Sequence, residues 1–310
     1  MIIIGASEIG SLEYIKLLLP EINNYKIVYN YKEFFKNIKK YNKATILTGT
    51  CIGYQLDKQI INYCVRNNIK SISILDSWGN YEERFFYKKK QYLPDHIIVN
   101  DLENYKQLKK IGIKKSKIFI GGNPIIQKHI IKFEKNKYIN NNKILNLPQR
   151  ILFISEPYNE NFKTHFKKYL FDEFSVLKMI ISMNNNSKIL IKLHPSEDYK
   201  KYQNFTNRNI RVLRTINFDI LNKYNFKIIG MTSILLIKLS FIHNKVYSFI
   251  PNKSKNFLAK NIFNIKFIHS IRALKKIINK DENNKNKFNI KNYMNSKKII
   301  SDFINAQNKI

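Results

Sequence analysis

Cysteine is nearly missing: Cys51 and Cys64 are the only two in 310 residues. They are too far apart for a CxxC pair and too few for a disulfide framework or a structural zinc site. No apolar run reaches the ~20 residues that span a bilayer, and the longest, 228–242, contains Lys238. Met1-Ile-Ile-Ile-Gly-Ala reads as a first strand, with no positively charged leader ahead of it. The expectation is a cytoplasmic protein, at most peripheral at the inner membrane. The histidines at 96, 129, 165, 243 and 269 show neither HxH nor HExxH spacing, so no catalytic metal is expected.

Acidic residues are also scarce, 22 against 55 Lys and Arg, for a formal charge of +33. That balance invites an anionic partner such as nucleic acid, a phospholipid surface or an acidic polymer. However, Gly, Pro, Arg and Ala are depleted together while Lys, Asn, Ile and Tyr abound, the drift an AT-rich genome imposes. The lysines are spread over nearly every helix face instead of forming one basic arm, which describes a solvated surface. No RRM-, KH- or helix-turn-helix-like pattern is present, so no specific nucleic acid is expected. A hydrophobic share of 44% and an aromatic share of 13% exclude global disorder and provide for a sizeable core.

Short β-branched runs alternate with longer amphipathic segments, the rhythm of βα units feeding parallel sheets. Strands are predicted at 2–4, 26–29, 45–47, 71–75, 96–99 and 117–120, with helices beginning near Leu12, Lys32, Leu56, Leu102 and Pro124. A Lys/Asn-rich linker is predicted between 133 and 149. Beyond it come strands at 150–154, 188–192, 210–212, 227–229 and 245–249, and helices over 171–183, from Ser233 and over 270–278. The reading is α/β, with two Rossmann-like domains facing across a cleft: an acceptor-side domain over 1–140 and a nucleotide-sugar-binding domain over 150–279. A polar loop and a helix over 280–310 would pack back on the first domain. Ligands of open α/β sheets bind outside the strands' carboxyl ends, so residues just after strands are the ones to inspect.

The sharpest such segment is Lys192-Leu193-His194-Pro195-Ser196-Glu197. Pro195 pushes His194 out of helical geometry, and an imidazole held there, with a pKa near neutrality, can protonate a departing phosphate. The same pattern also describes a plain strand cap. Next is Gly230-Met231-Thr232-Ser233, a strand, a turn, two hydroxyls and a helix, whose N–H groups would make an anion site or simply a capped helix start. Ser155-Glu156-Pro157 follows a third strand, and Glu156 would accept from a base or ribose, or else stand exposed.

In the first half, Asp76-Ser77-Trp78-Gly79-Asn80-Tyr81-Glu82-Glu83 joins acids, an amide and the single tryptophan in one strand-end loop. Rings stack on sugar faces and carboxylates bind hydroxyls, so Trp78 and Asn80 suit a sugar acceptor. Asp76, with Glu82 or Glu83 behind it, is the candidate base. The alternative is that Asp76 caps a helix and Trp78 packs in the core. Thr48-Gly49-Thr50 and Gly122-Asn123 end neighbouring strands, where glycine lets backbone approach a ligand closely. Neither is a GxGxxG or Walker fingerprint.

The KLHP strand end, followed some forty residues later by GMTS, resembles the HP and Ser/Thr-Ser motifs of bacterial sialyltransferases and polysialyltransferases. The resemblance covers residues 150–250, and Thr232 replaces the usual first serine. It implies a glycosyltransferase-B fold, a CMP-linked nonulosonic acid as donor and a cell-surface glycan as acceptor. His194 would assist departure of CMP while Thr232 and Ser233 hold its phosphate, with Lys192, Pro195, Ser196, Gly230, Ser155 and Glu156 around them. The nucleotide sugar is then a substrate, and no cofactor is expected. Two alternatives stay open: a UDP-sugar 2-epimerase or hydrolase of the same architecture, and a non-catalytic polyanion- or glycan-binding protein.

Overall fold

A computed structural model describes residues 1–7, 9–53, 55–114, 116–137, 150–157, 171–184, 187–216, 221, 225–241, 243–251, 264–280 and 290–309. The chain forms two units, Met1–Lys128 together with Asn289–Ile310, and His129–Phe288. The division falls inside a helix.

The first unit starts β1 (Ile2–Gly5), α1 (Ile9–Leu18), β2 (Tyr25–Val28), α2 (Tyr31–Lys40), β3 (Thr45–Thr48), α3 (Leu56–Arg66) and β4 (Ser71–Ile74). A small hairpin, β5 (Phe86–Tyr87) and β6 (Lys90–Gln91), leads to β7 (His96–Val99), α4 (Leu102–Lys110), β8 (Lys117–Ile120) and α5 (Pro124–Lys137). The six long strands pair in parallel in the order β2-β1-β3-β4-β7-β8. Ile2, Ile4, Leu47, Ile72 and Ile98 pack on one face, and Ile3, Val28 and Ile46 with Phe34 and Ile60 on the other. Burial on both faces is why β1 reads as an unbroken apolar run. Asn30 and Asp101 start α2 and α4 by accepting from Glu33 N and Asn104 N, at 2.9 and 2.8 Å.

The second unit contains β9 (Arg150–Ile154), α6 (Glu173–Met183), β10 (Lys188–Lys192), β11 (Ile210–Leu213), β12 (Phe226–Gly230), α7 (Ile234–Ser240), β13 (Val246–Phe249), β14 (Ile265–Ile268) and α8 (Ile271–Asn279). Its parallel sheet runs β11-β10-β9-β12-β13-β14. A capping box between Asp172 and Ser175 opens α6. Helix α9 (Ser296–Lys309) then belongs to the first unit, where Ile300 and Ile304 join the core beside α1.

Some elements differ from the sequence reading. Helix α1 begins at Ile9 rather than near Leu12. Helix α5 runs to Lys137, into the stretch read as linker; residues 138–149 of that linker and 281–289 of the polar loop lie outside the described residues. The β5–β6 hairpin and β14 have no counterpart in the prediction. Among the described residues no helix is long and apolar enough to cross a membrane.

Candidate functional site

The second sheet's order reverses between β9 and β12, where open α/β sheets bind ligands. Three loops emerge there from the adjacent strands β10, β9 and β12, and they carry His194, Glu156 and Thr232. Gly230 allows the close approach: a Cβ would stand 3.0 Å from Ile154 Cβ and 3.3 Å from Ile154 O.

Glu156 is turned inward and is only 8% exposed. Its Oε1 accepts from Met231 N at 3.2 Å and Thr232 N at 2.8 Å, and its Oε2 from the Thr232 hydroxyl at 2.7 Å. Burial pushes the carboxyl up to about 7, against the pull of those hydrogen bonds. This corrects two expectations. Glu156 is not an exposed loop acid, its carboxylate being engaged by Met231 and Thr232, and the backbone N–H groups expected to receive a phosphate already receive that carboxylate. Ser233 is the N-cap of α7, its Oγ accepting from Leu235 N at 3.2 Å.

His194 sits in a tight turn. Its backbone N donates to Glu197 Oε2 at 2.7 Å, and Glu197 N donates back to His194 O at 3.0 Å. Nδ1 lies 2.7 Å from Ser196 Oγ and accepts from Ser196 N at 3.3 Å, so the neutral ring carries its proton on Nε2. Pro195 and Ser196 are exposed and His194 half-buried. Lys192 Nζ turns back to Leu193 O, and burial lowers its pKa.

Beneath the turn, Glu197 is buried. Its Oε1 accepts from Ser155 Oγ at 2.8 Å and from Lys201 Nζ at 2.6 Å, and Lys201 pairs with buried Glu173 at 2.5 Å. Ser155 Oγ also meets the Tyr202 hydroxyl. Ser155 therefore joins the β9 loop to the His194 turn. No role had been assigned to Glu197, and Lys201 and Glu173 were not foreseen; the signals were an acid three residues after the histidine and a lysine four residues after that acid.

In the first unit Asp76 lies two residues past the end of β4, with Oδ1 3.4 Å from Arg84 Nη1. Arg84 is 4% exposed, donates from Nε to Gly79 O at 3.1 Å, and reaches Thr50 O and Ser77 Oγ. Asn123 Nδ2 donates to Asp76 O at 3.2 Å and to Asn100 Oδ1 at 2.9 Å. Gly10 leaves room for the carboxylate, since a Cβ there would lie 2.5 Å from Asp76 Oδ2. Asp76, Thr50 and Asn123 are thus brought together, around an arginine that had not been anticipated.

Other candidates are not available as expected. Trp78 is 6% exposed and donates to Asp101 Oδ2 at 2.7 Å, so it packs in the fold and offers no stacking face. Thr48 is buried, its hydroxyl 2.7 Å from Ser73 Oγ. Gly122 has φ 85° and its carbonyl accepts from Tyr14 at 2.9 Å. Glu82, Glu83 and Asn80 are exposed. At this sheet's own reversal point, between β1 and β3, buried Asp57 accepts from Ser7 N and Oγ, both at 3.1 Å, while its Oδ2 finds no hydrogen-bond partner among the described residues. Burial pushes its carboxyl up to about 6. Gly49 makes the room: a Cβ would lie 2.6 Å from Asp57 Oδ2. Among the described residues, no group of three or more His, Cys, Asp and Glu is placed to hold a metal ion.

No protein-family model matches the sequence, and no curated protein matches it. Solved structures do match. The UDP-GlcNAc 2-epimerase of Methanocaldococcus jannaschii aligns over 98% of this chain and 99% of its own at 14% identity, TM-score 0.60. The Neisseria meningitidis UDP-GlcNAc 2-epimerase bound to UDP-GlcNAc aligns over 98% of both chains at 12% identity, TM-score 0.60. The wall teichoic acid polymerase TagF covers all of this chain and 89% of its own at 12% identity, TM-score 0.53. What this chain shares with these proteins is the fold expected from its βα rhythm, two Rossmann-type α/β units with parallel sheets, the glycosyltransferase-B type that the motif resemblance implied.

Proposed function

We propose that the chain is an enzyme acting on a nucleotide-activated sugar bound at the reversal point of its second sheet. The observation that carries this is the convergence there of His194, on a turn held by Glu197, with the Glu156–Thr232 pair. The His194 imidazole donates a hydrogen bond from Nε2 to a phosphate oxygen and stabilises the negative charge that grows there as the bond from phosphate oxygen to sugar breaks. Glu156, with a pKa near neutrality, donates a hydrogen bond when protonated and withdraws the Thr232 hydroxyl when ionised. Protonation of Glu156 loosens its hold on the Met231 and Thr232 N–H groups and on the Thr232 hydroxyl, and Thr232 and Ser233 are then free to hold the phosphate. On the first unit Asp76 is the base for an acceptor hydroxyl. The KLHP and GMTS motifs favour a CMP-linked sugar and transfer to a glycan, and the +33 charge suits an acidic glycan or the inner membrane face.

A second reading has its own support: similarity over the whole chain to UDP-GlcNAc 2-epimerases favours UDP and a reaction without an acceptor. Calorimetric titration with CMP, UDP and AMP separates the two, repeated with His194→Ala and Thr232→Ala/Ser233→Ala. Selective CMP binding weakened by the substitutions supports transfer. UDP preference supports the epimerase-like reaction, and absence of nucleotide binding overturns both in favour of a non-catalytic binding protein.

A further inference from the structure

We propose that the first unit carries a separate small-molecule site at the amino-terminal edge of its sheet, shaped for an organic anion with a flat apolar body. It is independent of the reading above, because nucleotide chemistry was assigned to carboxyl-terminal strand ends and this cavity lies where β4, β7 and β8 begin. The cavity has a volume of about 910 Å3, within the range of small-molecule pockets. The α9 residues Phe303 and Gln307 form part of its wall.

The lining points to the ligand's chemistry. His96 opens β7 in direct register with Lys117 of β8, so the two side chains leave the same face of the sheet side by side. His96 as a residue is 9% exposed, and its Nδ1 finds no partner among the described residues. Native folds rarely leave such an atom unsatisfied without a further role. Lys70 stands across the cavity, its Nζ 2.6 Å from Gln307 O. The one carboxylate in the lining, Asp95, is engaged by Ser71 N and Oγ at 2.8 and 3.1 Å. Two ammonium groups against one hydrogen-bonded carboxylate select an anion and repel a cation.

The other walls are flat and apolar. Phe119 and Phe303 stack with centroids 4.1 Å apart and planes 10° apart, and Phe303 meets the His96 ring edge-on at 5.5 Å. Burial, Lys117 and Lys70 lower the His96 pKa while Asp95 raises it. The ring is therefore held toward its neutral form, a hydrogen-bonding group beside the two lysines rather than a third charge.

Titration with phenyl phosphate, benzoate and inorganic phosphate, followed by ligand-observed NMR and calorimetry, tests the site. Saturable one-to-one binding of an aryl anion is expected, with inorganic phosphate at least about tenfold weaker because it lacks the apolar body. Whichever of phenyl phosphate and benzoate binds tighter identifies the head group. Lys117→Glu reverses an exposed charge and leaves the core intact; it is expected to weaken aryl-anion binding by about tenfold or more at unchanged melting temperature. Phe303→Leu provides a second variant. Absence of saturable binding, binding indifferent to Lys117→Glu, or preference for phenethylammonium would each overturn the proposal.

Discussion

Glu156 places a carboxyl group where a helix start would otherwise offer its N–H groups to solvent. Its pKa is raised from 4.5 to about 7, so the folded chain keeps the proton to higher pH than the unfolded chain does. The stability linked to that proton is fully present below pH 4.5 and is lost as pH rises toward 7, a fall of roughly 3 kcal/mol at 1.36 kcal/mol per unit. Asp57, raised from 3.8 to about 6, adds a loss of the same sign between pH 4 and 6. Urea denaturation is therefore expected to show a more stable chain at pH 5 than at pH 8, and Glu156→Gln should remove the part of that slope between pH 5 and 7. A variant with an unchanged slope would show that Glu156 titrates normally. At Glu197, substitution by Ala is expected to cost about 3–5 kcal/mol, since it removes one of the two carboxylates paired with Lys201 and frees the His194 turn; Glu197→Gln, which retains the acceptor for His194 N, should cost less. The histidine turn was legible because its cause is local, a proline one residue on and an acid three residues on. Glu173 was not, because it reaches Lys201 from α6. Trp78 looked like a sugar platform for the same reason: its partner Asp101 lies beyond another strand.

Most strands and helices announced themselves, and β9 and β10 run over the predicted residues. Burial on both faces makes β9 a continuous apolar run from Ile151 to Ile154, whereas β10 alternates, with Ile189 and Ile191 buried between flanking lysines. The β5–β6 hairpin has two residues per strand and therefore no period to read. The start of α1 was hidden by Gly10, a poor helix former kept where Asp76 Oδ2 comes close. Packing between elements is tight enough to test. A Cβ at Gly121, just past β8, would lie 2.6 Å from Ile300 Cγ1 and 3.1 Å from Ile98 Cγ2. Gly121→Ala is expected to destabilise the first unit by about 1–3 kcal/mol; because Ile300→Ala removes the obstructing Cγ1, the double variant should lose less in chemical denaturation than the sum of the two single losses.

Over the whole molecule, a charge of +33 implies self-repulsion that added salt screens. The melting temperature should rise between 20 and 300 mM NaCl, roughly a fall in Debye length from 20 to 6 Å; a flat response would mean that the excess lysines stand far enough apart for water alone to screen them. The general architecture was readable from the βα rhythm. The two strand orders were not, since they depend on which strands become neighbours rather than on any local pattern.

The placement of α9 bears on how the chain comes into being. The first unit draws Ile300 and Ile304 into its core, and Asn305 reaches back to Glu21 O and Asn23 N at 2.7 and 3.0 Å. On the ribosome those residues emerge only after the whole of the second unit. The nascent first unit must therefore wait with one core face uncovered while the unit translated later is free to finish first, so the assembly order inverts the order of synthesis. That interval is when a chaperone would find its apolar target.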